Sequence, residues 1–169
     1  MGLMRPNDLP NLRELYSAQL GYLLSAENQI VEGLREMIEH VNDILLKRAF
    51  LSHLQETVSH VARLERLIAD LTNEVDDKKD SILGAIVSSG EKITKETESG
   101  PVRDAGLIAT AQKIEHYEIA SYGTARDWAT QLDLPAHANV LQRTLDEEKH
   151  ADQLLTQISH RANTTAAAA

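Results

Sequence analysis

"KIEHYEIASYG", residues 113–123, holds two glutamates three positions apart, Glu115 and Glu118, in a stretch free of helix breakers. On a helix, residues three apart share a face. Ile108, Ala111, Glu115, Glu118, Tyr122, Ala125 and Ala129 follow one another at alternating steps of three and four, so both acids fall on the stripe that faces a core. A buried carboxylate without a partner is costly. The stretch therefore predicts a helix from about Val102 to Leu132 and demands a reason for its inward acids.

The same period recurs along the chain. A first helix begins near Asn11, with Asp8 or Asn11 as its cap and Pro10 close to its start. Its seam reads Tyr16, Leu20, Leu23, Glu27, Ile30, Leu34, Met37 and Val41, with Glu27 the single acid. Asn42 and Asp43 mark a turn. A second helix, from about Ile44 to Leu71, has the seam Leu46, Phe50, His53, Thr57, His60, Leu64, Leu67 and Leu71, polar in the middle and apolar at both ends. Glu56 lies beside it. The polar stretch 72–81 is expected to be exposed, 82–98 can form a shorter amphipathic helix, and "SGP" (99–101) is a stop signal. "DLPA" (133–136) turns the chain into a fourth long helix from about Ala136 to Ser159. A long connection lets the helix after it run parallel to the one before it. The pattern predicts an all-α four-helix bundle whose long crossover carries a short extra helix. It forms one domain over 1–162, with "NTTAAAA" (163–169) a disordered tail.

"TLDEEKHADQLL" on the fourth helix offers several acids. Set against the apolar direction of Val140, Leu141, Leu145, Ala151, Leu154, Leu155 and Ile158, Glu148 lies roughly 35° from the face centre. Glu147 lies about 65° away, Asp152 about 75° and His150 about 125°. Glu148 points inward most directly, and Asp152, four residues on, can share its side.

Each long helix thus places a carboxylate on or beside its seam near mid-length. Such a cluster raises its own pKa values and resists folding unless a cation neutralises it. A carboxylate-bridged pair of metal ions takes a Glu from each of two helices and a Glu with a His from each of the other two. Glu27 and Glu118 are then the single ligands, Glu56 with His60 and Glu148 with Asp152 the paired ones, and Glu115 an extra ligand one turn from Glu118. Glu147 with His150 is the alternative register on the fourth helix; a π-bulge there would reconcile the two. His53 is a ligand or a neighbour at the edge of the site. Tyr122 either hydrogen-bonds a ligand carboxylate or simply packs. His116 lies off the stripe, and His40, His137 and His160, near helix ends, read as solvated. Oxygen-rich coordination favours two iron or manganese ions over copper or zinc. A structural polar layer is the competing reading.

Composition removes other classes. Acids outnumber bases 26 to 17, for a net charge of −9, which argues against a nucleic-acid surface. There is no Cys, so disulfides, thiolate zinc sites and iron–sulfur clusters are excluded. No segment approaches the roughly 20 apolar residues that span a bilayer, and "MGLMRPNDLP" is no signal peptide, so a cytoplasmic protein without a membrane partner is expected.

"VRDAGLIATAQKIEHYEIASYGTA" (102–125), with "AEN" (26–28), "HLQETVSHVARLE" (53–65) and "LDEEKHADQLL" (145–155), resembles the YciE/YciF family of ferritin-like proteins over roughly residues 9 to 160. The resemblance implies a ferritin-like bundle, a homodimer and an association with bacterial stress. The wider ferritin-like group carries Glu-x-x-His on its paired helices. Here Thr57 stands three before His60, whereas Glu147-x-x-His150 keeps the pattern and "DEEKHAD" looks like the matching stretch of bacterioferritins. The expected function is that of a ferritin-like metal protein acting on oxygen or peroxide, with ferroxidase, peroxidase or catalase-like turnover all compatible. The alternatives are metal sequestration without turnover and a structural bundle with a vacant site.

Overall fold

A computed structural model of the chain describes residues 9–71 and 78–169. Five helices follow in order: α1 Leu12–His40, α2 Ile44–Leu71, α3 Ser81–Glu96, α4 Pro101–Gln131 and α5 Pro135–Ala167. No strand occurs among the described residues. Asn11 caps α1, its side chain accepting the Glu14 N–H at 3.0 Å. Asp8, the other cap expected there, lies outside the described residues, as do residues 72–77 of the connection. Asp43 opens α2 by accepting the N–H groups of Leu45 and Leu46 at 2.8 and 3.0 Å, and Arg161 on α5 pairs with the same carboxylate at 2.5 Å. Gly100 precedes α4 with φ 144°, a conformation that side chains disfavour, and Pro101 then starts the helix without a missing donor.

Two hydrophobic clusters fill the bundle. One joins Ile30, Leu34 and Met37 of α1, Leu46 and Phe50 of α2, Leu107, Ile108 and Ile114 of α4, and Leu155 and Ile158 of α5. The other joins Tyr16, Leu20 and Leu23 of α1, Leu64 and Leu67 of α2, Tyr122 and Ala125 of α4, and Leu141 and Leu145 of α5. Chain order through the clusters gives the directions. The chain of α1 leads from the second cluster to the first, α2 and α4 both lead from first to second, and α5 returns. The crossover therefore makes α2 and α4 parallel, as its length predicts. Between the clusters, at mid-height, all four long helices turn polar side chains inward.

The crossover helix α3 packs on α1 and α4. Gly106 permits this close approach: a Cβ there would lie 2.6 Å from Cγ2 of Ile93. Asp80 corrects the expectation of a fully exposed 72–81 stretch. It is 4% exposed, caps α3 through the N–H groups of Ile82 and Leu83, and accepts the Tyr117 hydroxyl. A second correction concerns the C-terminus: α5 runs on to Ala167, so the stretch expected to be disordered is helical through most of its length. Threonine hydroxyls at 164 and 165 bond back to carbonyls four residues earlier, and alanine has the highest helix propensity. His137 is also buried rather than solvated, because its Nδ1 meets the buried Tyr16 hydroxyl at 3.0 Å.

Candidate metal centre

The mid-height layer consists of Glu27 from α1, His53, Thr57 and His60 from α2, Glu115 and Glu118 from α4, and Glu148 from α5, all buried. Glu27, His60, Glu118 and Glu148 have no exposed surface at all. Two groups form within it. His53, Glu115, Glu118 and Glu148 bring ligand atoms within 4.8 Å of one another, and so do Glu27, His60 and Glu148. Glu148 belongs to both.

The two histidines have the same construction. Nδ1 of His60 faces Glu148 at 2.9 Å and Glu27 at 3.3 Å, while its Nε2 meets Glu147 at 2.9 Å on the outer side. Glu147 is held in turn by both guanidinium nitrogens of Arg63, at 2.5 and 3.1 Å, and by Arg143 at 3.1 Å. Nε2 of His53 faces Glu115 at 3.2 Å and Glu148 at 3.7 Å, while its Nδ1 approaches Glu56 at 3.6 Å. Each imidazole thus presents one nitrogen to the core and the other to an outer carboxylate, the arrangement that fixes ring orientation at metal-ligating histidines. Tyr122 donates its hydroxyl to Glu27.

The donor set fits a cation better than it fits itself. Buried polar atoms are nearly always hydrogen-bonded. Here Oε2 of Glu27, both ring nitrogens of His53, Nδ1 of His60, Oε2 of Glu115 and both carboxylate oxygens of Glu118 and of Glu148 have no hydrogen-bond partner. The close imidazole–carboxylate approaches bring opposite charges together without aligning donor and acceptor.

Burial, reinforced by Glu148 and by the other carboxylates, raises Glu118 well above the ordinary carboxylate range. Burial does the same to Glu115 against the opposing charge of His53, and it also raises Glu27, against His60. Glu148 is held low: burial would raise it, but the imidazoles of His60 and His53 outweigh that. Burial would lower both histidines, yet Glu148 and Glu27 push His60 up to about 11, and Glu115, Glu56 and Glu148 push His53 up to about 9. Glu147 drops to about 2, because Arg63, His60 and Arg143 together overcome its burial. Without a cation the core therefore balances its carboxylates with protons.

Of the residues singled out in the sequence, Glu27, His60, Glu115, Glu118 and Glu148 converge. Glu56 does not. It lies one position from the inward Thr57, is partly exposed and reaches only the outer nitrogen of His53, so α2 contributes two histidines and no carboxylate. Asp152 turns toward the exposed His116 at 3.4 Å and joins neither group. The alternative pair separates. Glu147 sits behind His60, His150 is exposed, and α5 continues as regular α-helix through both, without a π-bulge. His53, expected as a ligand or as a neighbour at the edge, lies within the layer, in keeping with its place on the α2 seam. Arg63 was missed. Its signal was spacing, three residues beyond His60 and able to reach across to an acid on α5.

A family model described as a domain of unknown function, DUF892, matches residues 11–168. The chain belongs to the DUF892 family. Protein YciF of Escherichia coli K12 is 33% identical to this DUF892 chain over 153 residues, covering 90% of the chain and 92% of YciF. The crystal structure of the E. coli stress protein YciF superposes with a TM-score of 0.88 at 32% identity, over 92% of this chain and 99% of that one. YcfI of Rhodopseudomonas palustris matches with a TM-score of 0.86 at 30% identity, over 92% and 98%. Ferritin-like, diiron-carboxylate proteins of Bacillus anthracis share the fold at 16% identity, with a TM-score of 0.70 over 88% of this chain and 98% of theirs. The likeness to YciF and the ferritin-like fold both hold. Among the described residues, no helix is long and apolar enough to cross a membrane.

Proposed function

We propose that this DUF892 protein holds two iron or manganese ions at mid-height in the bundle and uses them on dioxygen or peroxide during stress. The observation that carries the reading is Glu148, which two adjoining groups of buried ligands share, with both its oxygens free of hydrogen bonds. Glu27 and His60 would hold one ion, and His53, Glu115 and Glu118 the other, with Glu148 common to both. A pair of such ions, when bound, supplies the electrons for reduction of oxygen or peroxide. The chain's own part is to orient and to tune. Arg63 and Glu147 fix the His60 ring, Tyr122 holds one oxygen of Glu27, and the apolar clusters above and below exclude bulk water. The link to stress follows from the likeness to YciF, named a stress protein. The family resemblance implies a homodimer.

A structural polar layer would satisfy its own atoms, and this one does not. The test is anaerobic loading with Fe(II) or Mn(II), followed by oxygen or peroxide consumption. Uptake of two ions and consumption that Glu118→Ala abolishes support the proposal. Stoichiometric binding without consumption removes the redox part and leaves sequestration. Failure to bind either ion overturns both.

A further inference from the structure

A cavity of about 80 Å³ lies against the centre between α2, α4 and α5. His53 and Glu115 line it, with Phe50, Ala151, Leu154 and Leu155 as apolar lining and Glu56 and His150 also contributing. Glu56 and His150 line a second, more open depression as well, beside Arg143, Asp146 and Glu147. The same two side chains therefore border both the outer depression and the inner cavity.

The cavity's dimensions limit what passes. Water takes up about 30 Å³ in the liquid, so the space suits two or three waters or a partly hydrated ion and no larger organic molecule. Ala151 contributes to the opening by its small size. It stands three residues after Glu148, where a longer side chain would fill the space. Inside, both ring nitrogens of His53, which is 6% exposed, and Oε2 of Glu115, which is 2% exposed, lack hydrogen-bond partners.

The two acids of the outer depression that reach furthest inward differ in mobility. Glu147 is fixed by Arg63, Arg143 and His60. Among the described residues Glu56 has no charged neighbour at pairing distance other than His53, at 3.6 Å, and its side chain is 39% exposed. Rotation about its own side-chain bonds would move its carboxylate between solvent and the cavity mouth at the cost of that one 3.6 Å approach. In the outer depression Glu147 is already paired with Arg63 and Arg143, which leaves Glu56 and Asp146 as the acids that raise the local concentration of cations there.

We propose that this opening between α2 and α5 is the route by which a divalent cation reaches the centre, with Glu56 and His150 as a transfer site at its mouth. The inference rests on the metal-binding reading above. The ion exchanges part of its water for the Glu56 carboxylate and the His150 imidazole, then passes to His53 and Glu115.

Stopped-flow uptake of Co(II) by EDTA-treated protein, followed by the visible absorption of the bound ion, tests it. Glu56→Gln should slow uptake about tenfold, and His150→Ala should slow it in the same direction. Ala151→Leu, which fills the cavity, should slow it further, and all three should reach the wild-type stoichiometry. Glu91→Gln removes the same charge on the far side, between α1 and α3, and should leave the rate unchanged. Wild-type rates in Glu56→Gln and Ala151→Leu, at full stoichiometry, would overturn the route while leaving the centre intact. Equal slowing by Glu91→Gln would reduce the effect to overall charge and overturn the transfer site. Absence of cobalt uptake by the wild type would overturn the metal reading and the route with it. If Ala151→Leu loses helicity by circular dichroism, Glu56→Gln and His150→Ala, on exposed side chains, decide the matter.

Discussion

Replacing Glu118 with leucine should make the metal-free protein more stable. Glu118 has no exposed surface, and neither carboxylate oxygen has a hydrogen-bond partner. Leaving a buried polar group unsatisfied costs about 1–3 kcal/mol. Leucine removes that cost and adds apolar burial of about 1.5–3 kcal/mol. A proton on Glu118 that is shared with Glu27 would recover about 1 kcal/mol of the unsatisfied cost. The balance is a gain of about 3 kcal/mol. In a chain of this length that corresponds to a rise in Tm of about 6–12 °C. Glu148→Leu should do the reverse, since Glu148 lies 2.9 Å from His60 and 3.7 Å from His53, and its loss strands buried positive charge. The assay is calorimetry of EDTA-treated wild type and both variants, with cation uptake measured alongside. A Glu118→Leu protein less stable than wild type without metal would refute the reasoning. It would mean that Glu118 is a satisfied structural residue.

Other predictions follow from the same distances. Glu115, Glu118, His53 and His60 all titrate higher folded than unfolded, so between about pH 5 and pH 9 the folded metal-free chain carries extra protons. Its stability is therefore greatest at the acid end and falls as pH rises, by about 1.4 kcal/mol per pH unit for each extra proton. Glu147 and Glu148 have the opposite sign, but their contribution is lost only as pH drops below the ordinary carboxylate range, and His137, lowered by burial, opposes the trend as one group against four. Urea titrations at pH 5.5 and 8 check this, and a metal-free midpoint that rises with pH contradicts it; with metal bound, the trend should reverse. Arg63→Met leaves Glu147 held by Arg143 alone on its outer side and loosens the His60 ring behind it. Calorimetric titration should show cation affinity about 10–100-fold weaker, with helicity intact. Asp104 accepts the N–H groups of Asn42 and Asp43 at 2.8 and 2.9 Å while 4% exposed. Asp104→Ala should cost about 3 kcal/mol in urea unfolding, and a change below about 0.5 kcal/mol would be inconsistent with that role.

What the sequence made legible was whatever depends on helix period. The seams of α1, α2 and α4 ran as read, and the choice of Glu148 over Glu147 came from angle alone. What it did not make legible depends on contacts between helices. Glu56 is three residues from His53 and four from His60, which suggests a shared ligand site, yet both histidines turn inward while Glu56 stays at the edge. His53 belongs to the layer because Glu115 lies across from it, a fact no single helix contains. Asp80 falls in a polar stretch that reads as exposed, and His137 near a helix end reads as solvated. Tyr117 and Tyr16, far away in the chain, bury them.

Two cations on either side of one glutamate would be directly visible in a crystal. Anomalous diffraction from crystals grown with Mn(II), with data collected on both sides of the manganese edge, tests for them most directly. Two peaks per chain are expected, one against Glu27 and His60, one against His53, Glu115 and Glu118, with Glu148 touching both. A core with no anomalous peak, and Glu118 hydrogen-bonded within the protein instead, would contradict the two-ion centre.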